Sequence, residues 1–171
     1  MYQLQRSSTG PIVSILRIAD GACIPLDTEN RDYQDYCAWR DAGNEAAEDP
    51  AYTVEALKAR KNSEINQARL DANRSSFMHD GHEFACDDLS RSDIDGTAIL
   101  VQMTGQFPQP WPGYWKAVDN SLYPITTKAQ WDAFYISMGA AGATNFAKSQ
   151  MLKAQLADAT TVEQINAINW E

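Results

Sequence analysis

Two histidines and a cysteine in the middle of the chain have side chains that commonly bind zinc. His79, His82 and Cys86 follow the spacing H-x2-H-x3-C, and imidazole and thiolate ligands at short spacing are typical of zinc sites. A structural zinc site needs four ligands, however, and the sequence has no second Cys or His cluster to complete this one. We therefore expect a hairpin with ordinary histidine side chains, with no metal and no other cofactor.

A second pattern has the carboxylates of a calcium loop. Residues 92–96 are Ser-Asp-Ile-Asp-Gly, but an EF-hand supplies its ligands over twelve residues and closes on a Glu. The chain continues instead with Thr-Ala-Ile-Leu-Val, which is typical of a helix. The start of a helix is therefore the better interpretation.

The motifs of nucleophilic and phosphate chemistry do not occur in the sequence. It contains no G-x-S-x-G, P-loop or H-E-x-x-H pattern. The only two histidines of the sequence lie in one predicted hairpin, so few residues could supply the base of a Ser–His–Asp or Cys–His arrangement. Carboxylates are plentiful, but nothing singles out a pair of the kind that glycosidases use. We predict that the protein is not an enzyme and has no catalytic residues.

An aromatic loop is the best candidate for a binding site. Trp111, Tyr114 and Trp115 cluster among prolines and a glycine. On an exposed loop these rings would stack on sugars or anchor a protein partner. The alternative, which we favour, is that they plug one end of a small core.

The charge of the chain disfavours two classes of partner. The net charge is -9, and an acidic protein repels nucleic-acid phosphates and anionic lipid headgroups. Residues 51–75 are the one basic stretch, with five Lys and Arg against three Asp and Glu. This stretch either is a solvated helix face or faces an acidic neighbour. We expect no nucleic-acid partner.

The cysteines and the hydropathy pattern indicate a cytoplasmic site of synthesis. Cys23, Cys37 and Cys86 are odd in number and widely spaced, which is a poor disulfide framework and suits a reducing compartment. The N-terminus has no apolar run of signal-peptide length. No stretch approaches the roughly 20 apolar residues of a membrane span, so we expect no membrane insertion.

The N-terminal residues predict short strands. A β-branched run over residues 12–18 ends at Asp20-Gly21, which is a strong hairpin signal, and residues 23–26 form the return strand. Pro25 confines that strand to an edge or an end of the sheet. An exposed strand edge can add to a partner's sheet. We therefore predict a docking edge with Ile12, Ile15, Ile18 and Ile24.

A helix, a linker and a longer helix are predicted next. Residues 28–42 have a helical pattern that Thr28 can cap. Residues 44–50 are acidic and end in Pro, which makes them the best linker candidate. Residues 53–73 contain neither Gly nor Pro and predict a long helix with a thin apolar stripe. Such a polar helix is typical of a connector.

The rest of the chain alternates hairpins with helices. We predict, in chain order, a hairpin at 75–86, a helix at 92–103 capped by Ser90 or Ser92, a loop at 105–113, a hairpin at 114–125, a long apolar helix behind a capping box at 127–130 and a short helix behind a capping box at 160–163. Hairpins and helices mixed without βαβ spacing indicate the α+β class. The predicted organisation is an N-terminal docking module (1–45), a linker and connecting helix (46–74) and a C-terminal α+β domain (75–171).

The C-terminal part resembles a known family. The residues that carry the resemblance are Phe77, Asp80-Gly81, residues 84–87, residues 89–96, Trp111-Pro112-Gly113, residues 115–120, Trp131, Phe134-Tyr135 and Asn145-Phe146. Together they resemble a domain of unknown function that recurs in tail and tail-fibre-region proteins of tailed bacteriophages and prophages. The resemblance spans residues 55–171. The front part is similar over a shorter stretch to a module of small phage tail and tail-fibre-assembly proteins, and the residues that carry this similarity are residues 16–21, Ile24-Pro25, Asp32-Tyr33, Tyr36 and Trp39.

The resemblance implies a role in a particle rather than a reaction. The expected function is a structural component of a bacteriophage tail, at the tail tip, the baseplate or the fibre attachment. The partners would be other tail proteins, with multiple copies in the virion. Two alternatives stay open: a tail-fibre assembly chaperone, and a receptor- or glycan-binding protein that uses the 111–115 loop.

Overall fold

A computed structural model describes residues 1–7 and 10–171, and it has the α+β class that the sequence predicts. The strands are β1 (Tyr2–Arg6), β2 (Ile12–Arg17), β3 (Ala22–Pro25), β4 (Ser76–His79), β5 (His82–Ala85), β6 (Tyr114–Lys116) and β7 (Leu122–Pro124). The helices are α1 (Arg31–Asp41), α2 (Val54–Ser75), α3 (Asp88–Thr104), α4 (Lys128–Asp158) and α5 (Val162–Asn166), with a 3-10 turn at Pro50–Tyr52.

The chain forms two compact units. One contains residues 1–61 and 159–167, and the other contains residues 62–158 and 168–171. The sheet β1-β2-β3 belongs to the first unit, which we call the N-terminal unit. The hairpins β4-β5 and β6-β7 belong to the second, which we call the C-terminal unit. The three-part division predicted from the sequence stays a prediction.

The N-terminal sheet is built around β2. Both β1 and β3 pair with β2 in antiparallel fashion, and the predicted turn at Asp20-Gly21 joins β2 to β3. Ile15 lies opposite Ile24 in this pairing. Both side chains are buried in one small core with Tyr2 and with Tyr36 of α1. The predicted hairpin is therefore confirmed.

Helix α1 begins later than predicted. Thr28 does not cap it, because the Asp27 carboxylate accepts the Glu29 N–H (2.9 Å) and holds this segment outside the helix. The cap is Asn30, whose side-chain oxygen accepts the Tyr33 N–H (3.2 Å). An Asx side chain that bonds to the backbone two residues further on competes with helix formation in this way.

The acidic segment predicted as a linker lies along β1. The Leu4 N–H donates to the Ala47 carbonyl (2.8 Å), and the Ala47 N–H donates to the Tyr2 carbonyl (2.9 Å). The Arg6 guanidinium pairs with Glu48 at 2.8 Å. These contacts occupy the outer edge of β1, so the acidic composition here serves local attachment.

The two long helices behave differently from each other. Helix α2 confirms the helix predicted over 53–73, and Leu57 and Ile65 of its thin stripe are buried. Helix α4 runs for 31 residues and continues through Gly139 and Gly142 without a break. Across residues 1–7 and 10–171, no helix combines the length and the apolarity needed to cross a membrane.

Both hairpins of the C-terminal unit have the predicted turns. Asp80-Gly81 joins β4 to β5 with φ angles of +47° and +80°, and Asn120 lies between β6 and β7 with a φ of +68°. Gly, Asn and Asp tolerate this left-handed region best, because their side chains are absent or short. The local chemistry of the turns therefore fixes the two hairpins.

Helix α3 begins earlier than predicted. Neither Ser90 nor Ser92 caps it. The cap is Asp87, whose carboxylate accepts the N–H groups of Leu89 and Ser90 at 3.0 Å each. Those hydrogen bonds lower the pKa of Asp87. The charge of this cap also suits the positive end of the helix dipole.

The capping box of α5 is displaced by one residue from the predicted pair Thr160 and Glu163. Thr161 accepts the Gln164 N–H (3.3 Å), and the Gln164 side chain accepts the Thr161 N–H (3.2 Å). Gln serves this motif as well as Glu. The sequence therefore offers two capping boxes one residue apart, and the structure has the second. The box predicted at 127–130 is confirmed at the start of α4.

The core of the C-terminal unit is aromatic. Phe134 of α4 is fully buried. Its ring centroid lies 5.1 Å from that of Phe77, 4.9 Å from that of Phe84 and 5.6 Å from that of Trp131. Ring pairs at these separations add to the free energy gained by burial alone. Phe134 thus joins the hairpin β4-β5 to α4.

Replacing the central ring should destabilise this unit strongly. We expect Phe134→Ala to lower the free energy of unfolding by about 3–5 kcal/mol, since it leaves a cavity among rigid rings. Ile136→Ala on the same helix is the matched control, because Ile136 is 67% exposed, and it should change the free energy by less than about 0.5 kcal/mol. Urea unfolding followed by circular dichroism measures both. Equal effects of the two substitutions would contradict this role.

Candidate functional site

Trp111 of the predicted binding loop packs into the C-terminal unit. Its indole N–H donates to the Ile125 carbonyl (2.9 Å). One face stacks on Phe107, with ring centroids 4.5 Å apart and an interplanar angle of 11°. Its ring also meets Trp131 edge-on at 5.7 Å. Both the hydrogen-bonding group and one aromatic face are therefore engaged within the fold.

Trp115 and Tyr114 differ in their exposure to solvent. Trp115 is half-buried, 5.6 Å from the Trp131 ring and 5.9 Å from the Phe134 ring. Tyr114 is 39% exposed. The arrangement is that of a plug at one end of the core, which is the alternative the sequence favours. Partner binding by these three residues stays a prediction.

The four isoleucines of the predicted docking edge lie at different places in the sheet. Ile12 and Ile15 lie on β2, which has a strand on each side. Ile24 lies on the outer strand β3, but its side chain is 1% exposed. Ile18 follows β2 and is 46% exposed. Strand β1 pairs with the other side of β2, so Ile12 and Ile15 lie within the sheet order. Docking by these four residues stays a prediction.

The outer edge of the sheet is β3. Its residues Ala22–Pro25 pair with β2, and β3 is the last strand in the sheet order. Cys23 is exposed on this strand, and its thiol donates to the Gln5 side chain (3.1 Å) across the sheet. Leu26 directly after β3 is 43% exposed. An outer edge therefore exists on β3, and it includes one of the four predicted residues, Ile24.

The two histidines form a pair across the first hairpin. His79 lies opposite His82 in the strand register. The His79 Nδ1 shares a hydrogen bond with the Ser137 hydroxyl (2.8 Å), and burial lowers the pKa of this imidazole. Cys86 is buried in the core. Among the residues that the structure describes, no three His, Cys, Asp or Glu side chains are arranged to hold a metal ion.

The carboxylates next to the histidines hold the turns. Asp80 accepts the phenol hydrogen of Tyr123 (3.1 Å), and Asp119 accepts the Ser121 N–H (2.9 Å). Burial, followed by the hydrogen bond to Asp80, raises the pKa of Tyr123. Asp80 thus connects the two hairpins, and Asp119 shapes the turn between β6 and β7.

The sequence did not reveal a groove between α3 and α4. Its volume is about 330 Å³, and we call it the α3–α4 groove. The lining residues are Ala98, Ile99, Gln102 and Met103 from α3, and Trp131, Asp132 and Tyr135 from α4. The lining is mostly apolar, with a few polar groups at its margin, and this composition is typical of binding sites in proteins.

Two polar features belong to the α3–α4 groove. The Tyr135 hydroxyl donates to the Asp95 carboxylate (3.1 Å) and so ties α4 to α3. Burial and this hydrogen bond raise the pKa of Tyr135. Trp131 is 1% exposed, and its indole N–H has no hydrogen-bond partner among the described residues. A buried donor without a partner costs about 1–3 kcal/mol.

One signal in the sequence could have revealed the groove. Helix α3 has more apolar residues than one buried face requires. Ile94 and Val101 are buried, whereas Ile99 is 59% exposed and Met103 is 79% exposed. A second apolar face on a helix marks a surface that another element or partner can cover.

A family model matches the greater part of the chain. The model is described as a domain of unknown function, DUF4376, and it matches residues 56–169, which is two thirds of the chain. The chain belongs to the DUF4376 family. The DUF4376 domain covers the two hairpins, the aromatic core and the α3–α4 groove. No curated protein and no solved structure matches the chain.

The match confirms part of the expected resemblance. A domain of unknown function was expected over residues 55–171, and the DUF4376 domain spans nearly the same residues. The sheet β1-β2-β3 and helix α1 precede the DUF4376 domain.

The aromatic loop should contribute mainly to stability. We expect Trp111→Ala to lower the free energy of unfolding by about 2 kcal/mol, because it removes a half-buried ring and its hydrogen bond. Tyr114→Ala, at an exposed position of the same loop, should change it by less than about 0.5 kcal/mol. Chemical denaturation distinguishes the two. A stable Trp111→Ala variant would contradict the plug.

The His79 imidazole should make stability depend on pH. Burial lowers its pKa below the ordinary 6.5, so the unfolded chain binds the proton more readily than the folded chain does. Stability should therefore fall as the pH drops from about 7 towards 5. Urea midpoints across this range measure the effect, and His79→Gln should reduce the slope. An NMR titration that gives His79 a pKa of 6.5 or higher would refute this expectation.

Proposed function

We propose that this protein is a structural component of a bacteriophage tail, at the tail tip, the baseplate or the fibre-attachment region. It acts through contacts with other tail proteins. The observation that carries the proposal is the position of the DUF4376 domain at residues 56–169. Over the same residues the sequence resembles a domain that recurs in tail and tail-fibre-region proteins. The proposed site of action is the virion, after synthesis in the host cytoplasm.

The surface of the C-terminal unit supports a role in protein–protein contacts. Helix α3 exposes Ile99, Leu100 and Met103 to solvent, and α4 exposes Ile136. Large apolar side chains grouped on two neighbouring helices are typical of interaction surfaces. Burying them against a partner would remove this area from water and so stabilise an assembly.

The polar groups of the C-terminal unit support a structural role as well. Asp87 caps α3, Asp80 binds Tyr123, and Asp119 holds a turn. Each of these carboxylates has a partner that belongs to the fold. Their positions follow from the need to satisfy helix ends and turns.

A tail-fibre assembly chaperone is the second candidate. The open α3–α4 groove is compatible with this function too, because an exposed apolar groove can bind an unfinished partner transiently. Glycan binding by the 111–115 loop has less support. The ring of Trp111 is stacked on Phe107, and that of Trp115 packs beside Trp131.

Quantitative mass spectrometry of purified particles tests the proposal. The phage or induced prophage that encodes the chain is purified on a density gradient, and peptides of this chain are counted against those of a tail subunit. A fixed ratio of several copies per particle is expected. Particles of a deletion mutant that carries a plasmid copy should regain the same ratio.

Two results would contradict a structural role. The first is the absence of the chain from infectious particles. The second is its presence only in trace amounts that vary between preparations. If the chain is absent and the fibre protein becomes insoluble without it, the chaperone is the correct function.

A further inference from the structure

We propose that the α3–α4 groove binds a basic amphipathic helix of a partner protein. That helix would have two apolar side chains about one turn apart, flanked by Lys or Arg. The inference rests on the proposed function in one respect, which is that the protein works by binding other proteins. It adds the surface and the chemistry of the partner.

The apolar part of the groove sets the first requirement. Ile99 and Met103 are four residues apart on α3, so they lie one above the other on the same face. They are 59% and 79% exposed, and Ala98 and Trp131 complete the apolar lining. Because these two exposed side chains gain by being buried, they favour a partner that presents apolar groups at the same spacing.

The length of the groove sets the size of the partner segment. Its α3 residues run from Ala98 to Met103, which corresponds to about 7.5 Å of helix at 1.5 Å per residue. A partner helix lying along it places two anchors at positions i and i+4 over this distance, since four residues rise about 6 Å. A volume of about 330 Å³ is at the lower end for ligand pockets, and this size suits two side chains.

The charge at the rim sets the third requirement. Asp95 does not line the groove, but its carboxylate accepts the hydrogen bond of the lining residue Tyr135 (3.1 Å) and so brings a negative charge beside the groove. The lining residue Asp132 pairs with Lys128 at 2.7 Å, which already compensates its charge. The chain as a whole has a net charge of -9. A basic segment therefore gains from Asp95 and from the negative field of the whole chain.

The same charge argues against a second copy as the occupant. Two copies that met groove to groove would bring the same acidic surface of each copy together, because an isologous contact uses one patch on both subunits. Each copy also carries the net charge of -9. The repulsion would oppose the apolar gain, whereas a basic partner adds to it.

One residue that lines the groove has a buried hydrogen-bond donor without a partner. The Trp131 indole N–H has no partner among the described residues, and Trp131 lines the groove. Its resonance in an NMR spectrum is therefore a local reporter of occupancy.

The test uses the full chain and a panel of synthetic 15-residue peptides labelled with fluorescein. Each peptide is designed to be helical, with Leu, Ile, Phe or Met at two positions i and i+4 and Lys at the flanking positions. Matched peptides carry Glu in place of Lys, or Ser in place of both anchors. Fluorescence anisotropy at low and high salt measures the affinity. We expect at least one Lys peptide to bind, and its Glu and Ser counterparts to bind at least tenfold more weakly.

Variants locate the binding on the protein. Ile99→Ser and Met103→Ser should each weaken the best peptide at least fivefold. Met78→Ser is the matched control, because Met78 is 60% exposed on β4 and does not line the groove, and it should leave the affinity unchanged. Asp95→Asn should weaken binding severalfold and reduce its salt dependence. Circular dichroism verifies that each variant is folded, and the Trp131 indole N–H resonance should shift when the peptide is added.

Four results would overturn the inference. The first is that no peptide of the panel binds. The second is that the Glu and Lys peptides bind equally, and the third is that Ile99→Ser leaves binding unchanged. The fourth is sedimentation showing that the chain is a dimer that Ile99→Ser dissociates, because the groove would then be a contact between copies. Peptide binding is independent of the presence of the chain in virions, so the two proposals can fail separately.

Discussion

Packing around the ring of Phe134 holds the C-terminal unit together. Rings from β4, β5, β6 and α4 lie within 6 Å of it, centroid to centroid. The two hairpins are short, and an isolated two-stranded hairpin is marginally stable in water. They persist because each contributes rings to this cluster: Phe77 and Phe84 come from one hairpin and Trp115 from the other. The two hairpins therefore depend on this core.

The same packing explains why the α3–α4 groove exists. Helix α3 buries Ile94 and Val101 against the aromatic core, and residues five positions away from Ile94 lie about 140° around the helix. Ile99 is therefore directed away from the core. Trp131 and Phe134 of α4 pack into the core, and Tyr135 of the same helix lies beside α3, where it bonds to Asp95. The groove results from two helices that share a core but have more apolar residues than the core takes up.

Local chemistry was readable from the sequence, and tertiary arrangement was not. The turn at Asp80-Gly81 was predictable because positive φ angles select these residues. The cap of α3 was misplaced, since Asp87 and Ser90 are both good caps and only the path of the preceding strand chooses between them. The position of β2 between β1 and β3 was not predictable, because strand order is not encoded in a single strand. The groove was missed because it needs two helices whose relative position the sequence does not state.

The size of the groove bears on how such a protein would work in a tail. A contact made by two apolar anchors and a few charges is weak on its own, because association also costs translational and side-chain freedom. In a symmetric particle each copy repeats the contact, and linked contacts raise the total affinity by large factors without any new interaction. If the groove binds the proposed basic helix, it would discriminate through charge while the contact of a single copy stays reversible. That combination suits stepwise assembly, in which a wrongly placed subunit must dissociate before its neighbours are added.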